Sequence, residues 1–354
     1  MNCVSSYCPP KAFFFLMHIT HPFTIFILLT AGLTLSSLLF FSLLTKYSKT
    51  LKPLVLTSIS VSVGAYFGAY VRILIDDSTS FWPNLLGCFL IGITAPIQSW
   101  RSDGKTGFTT GFCGSLTTFS AWINTWSKNS LDDFPLHSQG YQAQIAVRNL
   151  LSFFGVFIIG YVFGRDCYEF CVAKLCSSKT SIWNSNQSET QENLEISQTP
   201  KTQKRSIQFW SYLTYFFIII YLPVTGLIIW GMRAQWNGQV KCYAMVLSQF
   251  GALLRWQLCD KLNRKEFCYG TVLSNTIAVL VLTMSSRYAD TSSFWIYGLN
   301  SGFCACLSTV SSMVKDSVSI YENLKVGNRK VMSVVYSGTT FGVAVLIGLL
   351  VWGV

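Results

Sequence analysis

Long apolar runs separated by short polar segments recur along most of the chain. Each run reaches the roughly 20 residues that a helix needs to cross about 30 Å of hydrocarbon. The pattern predicts an all-α integral membrane protein with nine spans, at residues 53–75, 81–100, 105–127, 142–164, 209–230, 240–259, 269–286, 294–314 and 331–353. A further apolar stretch at 12–44 leaves a tenth span, a signal anchor or an interfacial helix open.

Three blocks of sequence occur twice in the same order. FGAYVR at 67–72 matches FGALLR at 250–255, Asn84 in PNLLGCFLIG matches Asn275 in SNTIAVLVLT, and GFCGSLTTFS at 111–120 matches GFCACLSTVS at 302–311. The sequence therefore predicts an internal duplication. Its parts are an N-terminal extension at 1–52, a first four-helix repeat at 53–164, a polar cytoplasmic linker at 165–208, a linker helix at 209–230 and a second repeat at 240–354.

Basic residues predict the orientation of the two repeats. Most of the 26 Lys and Arg residues fall in five segments, 46–52, 101–105, 165–208, 260–266 and 315–330. Positive charge concentrates on the cytoplasmic side of membrane proteins, so all five segments are expected there. That placement requires the single linker helix between the repeats and turns the second repeat upside down. Inverted repeats place a solute pathway near their interface.

Composition narrows the class of function. Hydrophobic residues make up 51% of the chain and charged residues 12%, about half of what a soluble protein carries. The net charge is +11, and the basic residues that produce it lie between the apolar runs. This placement favours a role in membrane topology over nucleic-acid binding. With three histidines and no nucleotide loop or catalytic constellation, an enzyme is not expected.

Ionisable residues inside membranes are costly and usually functional. The Asp and Glu residues fall outside the predicted spans or at their edges, which predicts no buried carboxylate for a proton relay or a cation site. Arg72 and Arg255 do fall within spans; snorkelling to the membrane interface is the alternative to a functional role. Asn84 and Asn275 either bond neighbouring helices or donate N–H groups to an anion.

The third span of each repeat is rich in small and hydroxyl residues. Gly111, Gly114, Thr117 and Thr118 crowd the first, and Gly302, Ser308 and Thr309 crowd the second. Such residues at membrane depth indicate either an unwound helix that lines a polar site or close helix packing.

The motif GFCGSLTTFSAW, preceded by NLLGCFLIG and GAYVR, resembles the Fluc/FEX fluoride channels, also called CrcB-like proteins. The duplicated layout is similar to the eukaryotic fused exporters. The resemblance implies a passive fluoride-selective channel in the plasma membrane, working as a single-chain pseudo-dimer. It also implies a structural sodium ion, held by the backbone carbonyls of Gly114, Thr117, Ala305 and Ser308.

The resemblance further implies a pathway lined by aromatic residues. The two positions that carry pore phenylalanines in the family are Phe119 and Trp122 in the first repeat and Val310 and Met313 in the second. Each pore combines positions from both halves, so Phe119 pairs with Met313 and Val310 pairs with Trp122. In the fourth span, the second repeat offers a polar track of Tyr336 and Thr340, with Thr339 beside it, where the first has Asn149 and Phe153.

These differences predict one working pore and one decayed pore. The residues expected to serve the working pathway are Asn84, Phe119, Ser120, Asn275, Met313, Tyr336 and Thr340, with Arg72 and Arg255 as vestibule or structural residues. Asn84 is favoured over Asn275, because its repeat keeps the fuller motif. A proton-coupled anion antiporter and a non-transporting membrane scaffold are the two rival functions.

Overall fold

The computed structural model describes residues 51–75, 80–97, 100, 102–132, 147, 151, 154–171, 236–289, 293–323 and 329–353. The chain divides into two compact units, Met1–Leu56 and Thr57–Val354. Residues 51–56 are the described part of the first unit and begin a helix. The apolar stretch 12–44 and the predicted linker helix 209–230 lie outside the described residues.

The described part of the chain is helical apart from short connections and one isolated bridge between Asn263 and Cys268. The helices of the first repeat are α1 (Leu51–Ile75), α2 (Phe81–Thr94), α3 (102–116), α4 (Phe119–Asp132) and α5 (154–171). The helices of the second repeat are α6 (Trp236–Leu262), α7 (Tyr269–Tyr288), α8 (294–307), α9 (Val310–Asn323) and α10 (Arg329–Gly353).

Most predicted spans match a described helix. The α2 helix ends at Thr94, before the predicted boundary, while α5 continues to residue 171, into the segment predicted as a linker. Among the described residues, three helices are long and apolar enough to cross a membrane, Leu54–Ile75, Tyr269–Tyr288 and Lys330–Gly353. Large apolar side chains on the last of these face outward, with Val334 70% exposed and Leu350 59% exposed. Such a surface suits lipid rather than water.

Each predicted third span is broken into two helices. In the first repeat, α3 contains a π-helical stretch (Gly107–Cys113), ends at Leu116 and is followed by extended backbone at Thr117. In the second, α8 has a π-helical stretch at Gly298–Cys304, ends at Leu307 and is followed by extended backbone at Ser308. The unwound third span predicted from the sequence is thus confirmed in both repeats.

The second halves of the broken spans pack on the opposite repeat. The α4 helix contacts α7 and α10 of the second repeat, and α9 contacts α2 of the first. The two repeats therefore interdigitate instead of lying side by side. This exchange is reciprocal, as expected for two copies of one unit.

Close helix packing, the other role considered for the glycines, also occurs. A Cβ atom on Gly111 would lie 2.7 Å from the Val61 carbonyl oxygen, and one on Gly302 would lie 2.8 Å from Ala244 Cα. Both distances are too short for a side chain. These two glycines therefore bring α3 against α1 and α8 against α6.

Candidate functional site at the crossing of the broken helices

The two helix breaks, Thr117–Thr118 and Ser308–Thr309, meet inside the protein; this meeting point is called the crossing. The Thr117 and Thr309 hydroxyl oxygens lie 3.1 Å apart, and every residue of both breaks is buried. A helix start leaves backbone N–H groups without partners, and those groups need acceptors when they are buried.

Each repeat caps the helix of the other at the crossing. The Ser308 hydroxyl accepts hydrogen bonds from the Phe119 and Ser120 N–H groups at 3.2 and 3.0 Å. Reciprocally, the Thr117 hydroxyl accepts one from the Ser311 N–H group at 3.3 Å. Ser and Thr are favoured helix caps, but these caps act between repeats instead of within one helix. The Ser120 hydroxyl lies 2.8 Å from that of Ser308, so this residue belongs to the crossing.

The two matched asparagines hold the breaks open. Asn84 accepts a hydrogen bond from the Thr118 N–H group at 2.7 Å and donates one to the Thr118 carbonyl at 3.1 Å. Asn275 does the same to Thr309, at 2.8 and 3.3 Å. Each side chain thereby satisfies both backbone groups that the break frees. One N–H group of each amide is used in this way, so the helix-bonding role is confirmed for both asparagines, and their role toward an anion stays a prediction.

Both arginines are buried, with Arg72 2% and Arg255 0% exposed, so snorkelling is wrong for both. Arg72 donates to the Ser115 carbonyl at 2.6 Å and to the Ser301 carbonyl. Arg255 donates to the Gly114 carbonyl at 2.8 Å, to the Ser308 carbonyl at 3.1 Å and to the Thr110 carbonyl. Carbonyls freed by the broken helices therefore receive their hydrogen bonds from arginine side chains.

Arg255 already bonds some of the carbonyls that were expected to hold a sodium ion. Two of the four carbonyls, those of Gly114 and Ser308, accept hydrogen bonds from the same nitrogen, Nη1 of Arg255. A sodium ion on those two oxygens would lie within about 4 Å of the guanidinium, where two unit charges repel by about 4 kcal/mol at an effective dielectric constant of 20. The residues as arranged do not fit a sodium ion at this position.

The aromatic positions of both expected pores gather in one buried cluster. Phe119, Met313, Trp122 and Val310 all belong to it and are at most 3% exposed. The Phe119 ring makes an edge contact with Phe341 at a centroid distance of 5.3 Å.

The ring of Trp122 is packed between aromatic neighbours. It makes edge contacts with Phe157 at 5.4 Å and with Phe341 at 5.5 Å, and Phe154 also contacts Phe341 at 4.9 Å. Aromatic rings therefore fill the surroundings of Trp122.

The polar track of α10 is only partly as expected. Tyr336 and Thr340 are both buried, whereas Thr339 is exposed and faces away. The Thr340 hydroxyl donates to the Tyr336 carbonyl at 2.8 Å. The Tyr336 hydroxyl is buried and interacts with the side chains of Asp316 and Thr271, although neither contact meets strict hydrogen-bond distance and angle limits. Asn149 and Phe153 of the first repeat lie outside the described residues.

A hydroxyl cluster and a buried carboxylate near this track were missed by the sequence reasoning. The Ser317 hydroxyl of α9 lies 3.0 Å from the Ser333 hydroxyl and 2.9 Å from the Ser337 hydroxyl. Asp316 is 8% exposed, accepts a hydrogen bond from Thr271 at 2.7 Å and acts electrostatically on Tyr336. The expectation of no buried carboxylate is wrong, because Asp316 lies beyond the predicted span yet inside the helix packing.

This geometry defines a class of membrane protein in which two related units cross at broken, mutually capped helices. The family model of CrcB-like protein, Camphor Resistance (CrcB), matches residues 59–165 and 242–352, more than half of the chain. The chain belongs to this family. Its two matched regions coincide with the two repeats.

Curated relatives agree with this membership. Fluoride export protein 1 of Saccharomyces cerevisiae is 25% identical over 71% of this chain and 79% of its own length. Fluoride export protein 1 of Candida albicans is 25% identical over 71% of this chain and 69% of its own length. Fluoride-specific ion channel FluC of Azobacteroides pseudotrichonymphae is 32% identical over 26% of this chain and 74% of its own length. No solved structure matches.

Proposed function

We propose that this membrane protein is a fluoride-selective passive channel that exports cytoplasmic fluoride across the plasma membrane and confers fluoride resistance. Family membership and relatives named as fluoride exporters and fluoride-specific channels support the choice of ion. The observation that carries the proposal is one cluster in which Phe119, Met313 and Tyr336 are all fully buried, so that a ring edge and a hydroxyl lie in the same apolar surroundings.

The proposed pathway runs past Phe119, Met313, Tyr336 and Thr340. Fluoride holds its water tightly, so a narrow path must replace that hydration with donors and with the positive edges of aromatic rings. The Tyr336 hydroxyl supplies a donor, and Phe119 supplies a ring edge. The second path, beside Val310 and Trp122, is closed by aromatic packing. A single chain supplies both halves as two repeats of opposite orientation.

Export through such a path needs no ATP. A membrane potential that is negative inside favours anion exit by about 2.3 kcal/mol for each 100 mV. Fluoride that enters an acidified cell as HF and ionises in the cytoplasm therefore leaves down its electrochemical gradient. The protein has only to discriminate fluoride from the more abundant chloride.

Fluoride efflux from liposomes that contain only this protein tests the proposal. With a potassium ionophore to balance charge, we expect rapid fluoride release, measured with a fluoride electrode, and no chloride release above that of empty liposomes. Equal release of both anions would contradict selectivity. No fluoride release from liposomes with folded protein would contradict transport and favour the scaffold function.

Asp316 favours one second candidate, a proton-coupled fluoride antiporter. Coupling requires a titratable group in the path, and this buried carboxylate acts on Tyr336. For the passive channel, we expect the reversal potential of the fluoride current to stay unchanged when a pH gradient is imposed, both in the wild type and in Asp316→Asn. The Asn side chain keeps an acceptor for Thr271.

The antiporter predicts the opposite result. Its reversal potential would move with the pH gradient, and Asp316→Asn would abolish that movement. Asp103→Asn is the matched control, because Asp103 is also buried, at 5% exposure, but lies in α3 of the first repeat. A pH-dependent reversal potential that Asp316→Asn removes and Asp103→Asn retains would replace the passive mechanism by coupling.

A further inference from the structure

The guanidinium of Arg255 joins the two repeats at the crossing. Its Nη1 atom donates to Gly114 of the first repeat and to Ser308 of the second, and its Nη2 atom donates to Thr110 of the first. The side chain is fully buried. Three carbonyl groups thus surround one fixed positive charge, and two of them belong to the set expected to hold sodium.

The matching arginine of the first repeat shares one contact with Arg255, because its bond to Ser301 corresponds to that from Arg255 to Thr110, but its other contacts differ. Arg72 bonds to Ser115, Ser301 and the Cys306 sulfur, and to none of the four carbonyls expected at the sodium site. Residue 114 explains the difference. A Cβ atom on Gly114 would lie 2.8 Å from Arg255 Cζ, so the guanidinium needs a glycine there. The matching residue of the second repeat is Ala305, which carries a methyl group where residue 114 has none.

We propose that the Arg255 guanidinium is the internal cation of the crossing and replaces a bound sodium ion, so that the protein requires no sodium to fold or to work. The Arg255 side chain is covalently part of the protein, and it supplies the positive charge that the freed carbonyls require. Two repeats in one chain can diverge, so Arg255 bonds two of the four carbonyls expected to hold sodium while Arg72 bonds none of them.

Sodium dependence of thermal stability tests the proposal without reference to fluoride transport. The purified protein, dialysed into N-methylglucamine chloride, is titrated with sodium chloride, with potassium chloride at equal concentration as the control for ionic strength. We expect the same Tm in both salts. A saturable rise of about 5 °C or more in sodium alone would mean that a sodium ion binds the folded state, and it would overturn the proposal.

Removing the Arg255 guanidinium should make the stability of the protein depend on sodium. In Arg255→Gln the carbonyls of Gly114 and Ser308 lose their charged donor, and we expect the Tm of this variant to rise with sodium but not with potassium. Arg72→Gln is the matched control: it removes one buried arginine and leaves the Arg255 contacts in place, so its Tm should stay insensitive to sodium. Sodium dependence in Arg72→Gln or in the wild type would contradict the assignment.

Fluoride efflux provides a second measurement. Wild-type efflux is expected to change less than about twofold when sodium is absent from both sides, since a tethered charge does not dissociate. Loss of efflux without sodium, restored by sodium but not by potassium, would overturn the proposal. Absence of fluoride efflux in every salt would instead count against the proposed channel function, and the Tm measurement would still decide the role of Arg255.

Discussion

Replacing Gly114 with alanine is expected to cost about 3–5 kcal/mol of stability and to abolish fluoride efflux, because it displaces a buried, hydrogen-bonded charge. The added Cβ atom would lie 2.8 Å from Arg255 Cζ and 3.2 Å from Nη1. The guanidinium would have to leave the Gly114 and Ser308 carbonyls, which are buried. Thermal unfolding in detergent should show a fall in Tm of about 10 °C or more.

The duplication supplies a matched control for this prediction. Ala305→Gly changes the equivalent residue of the second repeat, whose carbonyl accepts no hydrogen bond from an arginine in the described part of the chain. We expect it to cost about 1 kcal/mol, from one lost buried methyl group and the lower helix propensity of glycine. Equal losses in the two variants would mean that residue 114 matters only for helix packing.

A double-mutant cycle separates the arginine from other effects of the methyl group. Gly114→Ala should cost at least about 1 kcal/mol less in an Arg255→Gln background than in the wild type, since the shorter side chain leaves room for the methyl group. Additive losses would show that the two residues do not interact, and they would contradict the position assigned to the guanidinium.

The sequence predicts the helix breaks because the responsible residues lie close together in the chain. Gly114 to Thr118 form one block rich in small and hydroxyl residues, and a similar block occurs at the matched place in the second repeat. Asn84 and Asn275 are likewise recognisable, because an amide in an apolar helix must find a partner. Because the two asparagines are matched by the duplication, their partners are predicted to be equivalent. The structure confirms this, since Asn84 bonds the Thr118 backbone and Asn275 bonds the Thr309 backbone.

The contacts of the arginines depend on residues far away in the chain. The hydrogen bond from Arg255 to Gly114 spans 141 residues and links the two repeats, so no local pattern signals it. The missing Cβ at residue 114, against the methyl group of Ala305, is the one sequence signal that could have indicated it.

The burial of Asp316 was missed for a different reason. Hydropathy assigns a charged residue at a helix end to water, whereas Asp316 lies within α9 and packs against α7 through Thr271. Burial by neighbouring helices depends on tertiary packing and is not encoded in the apolar pattern of one segment.

Phe119→Ile is the variant expected to affect transport most without unfolding the protein. Isoleucine keeps a large apolar side chain in the cluster with Met313 and Tyr336, so the structural cost should stay near 1–2 kcal/mol. In the proposed pathway, it removes the ring edge that would replace part of the hydration of fluoride. We expect fluoride efflux to fall at least tenfold, which corresponds to about 1.4 kcal/mol of lost stabilisation along the path.

Val310→Ile is the control, because Val310 occupies the same position of the second repeat and is equally buried, at 0% exposure. It alters the path beside Trp122 that we propose to be closed, and efflux should stay within about twofold of the wild type, since the swap adds only one methylene group. If Val310→Ile lost transport and Phe119→Ile retained it, fluoride would pass beside Trp122, and the assignment of the working half would be reversed. Equal losses of fluoride efflux in the two variants would mean that both paths conduct. With a single conducting path, only one of the two matched residues limits the flux.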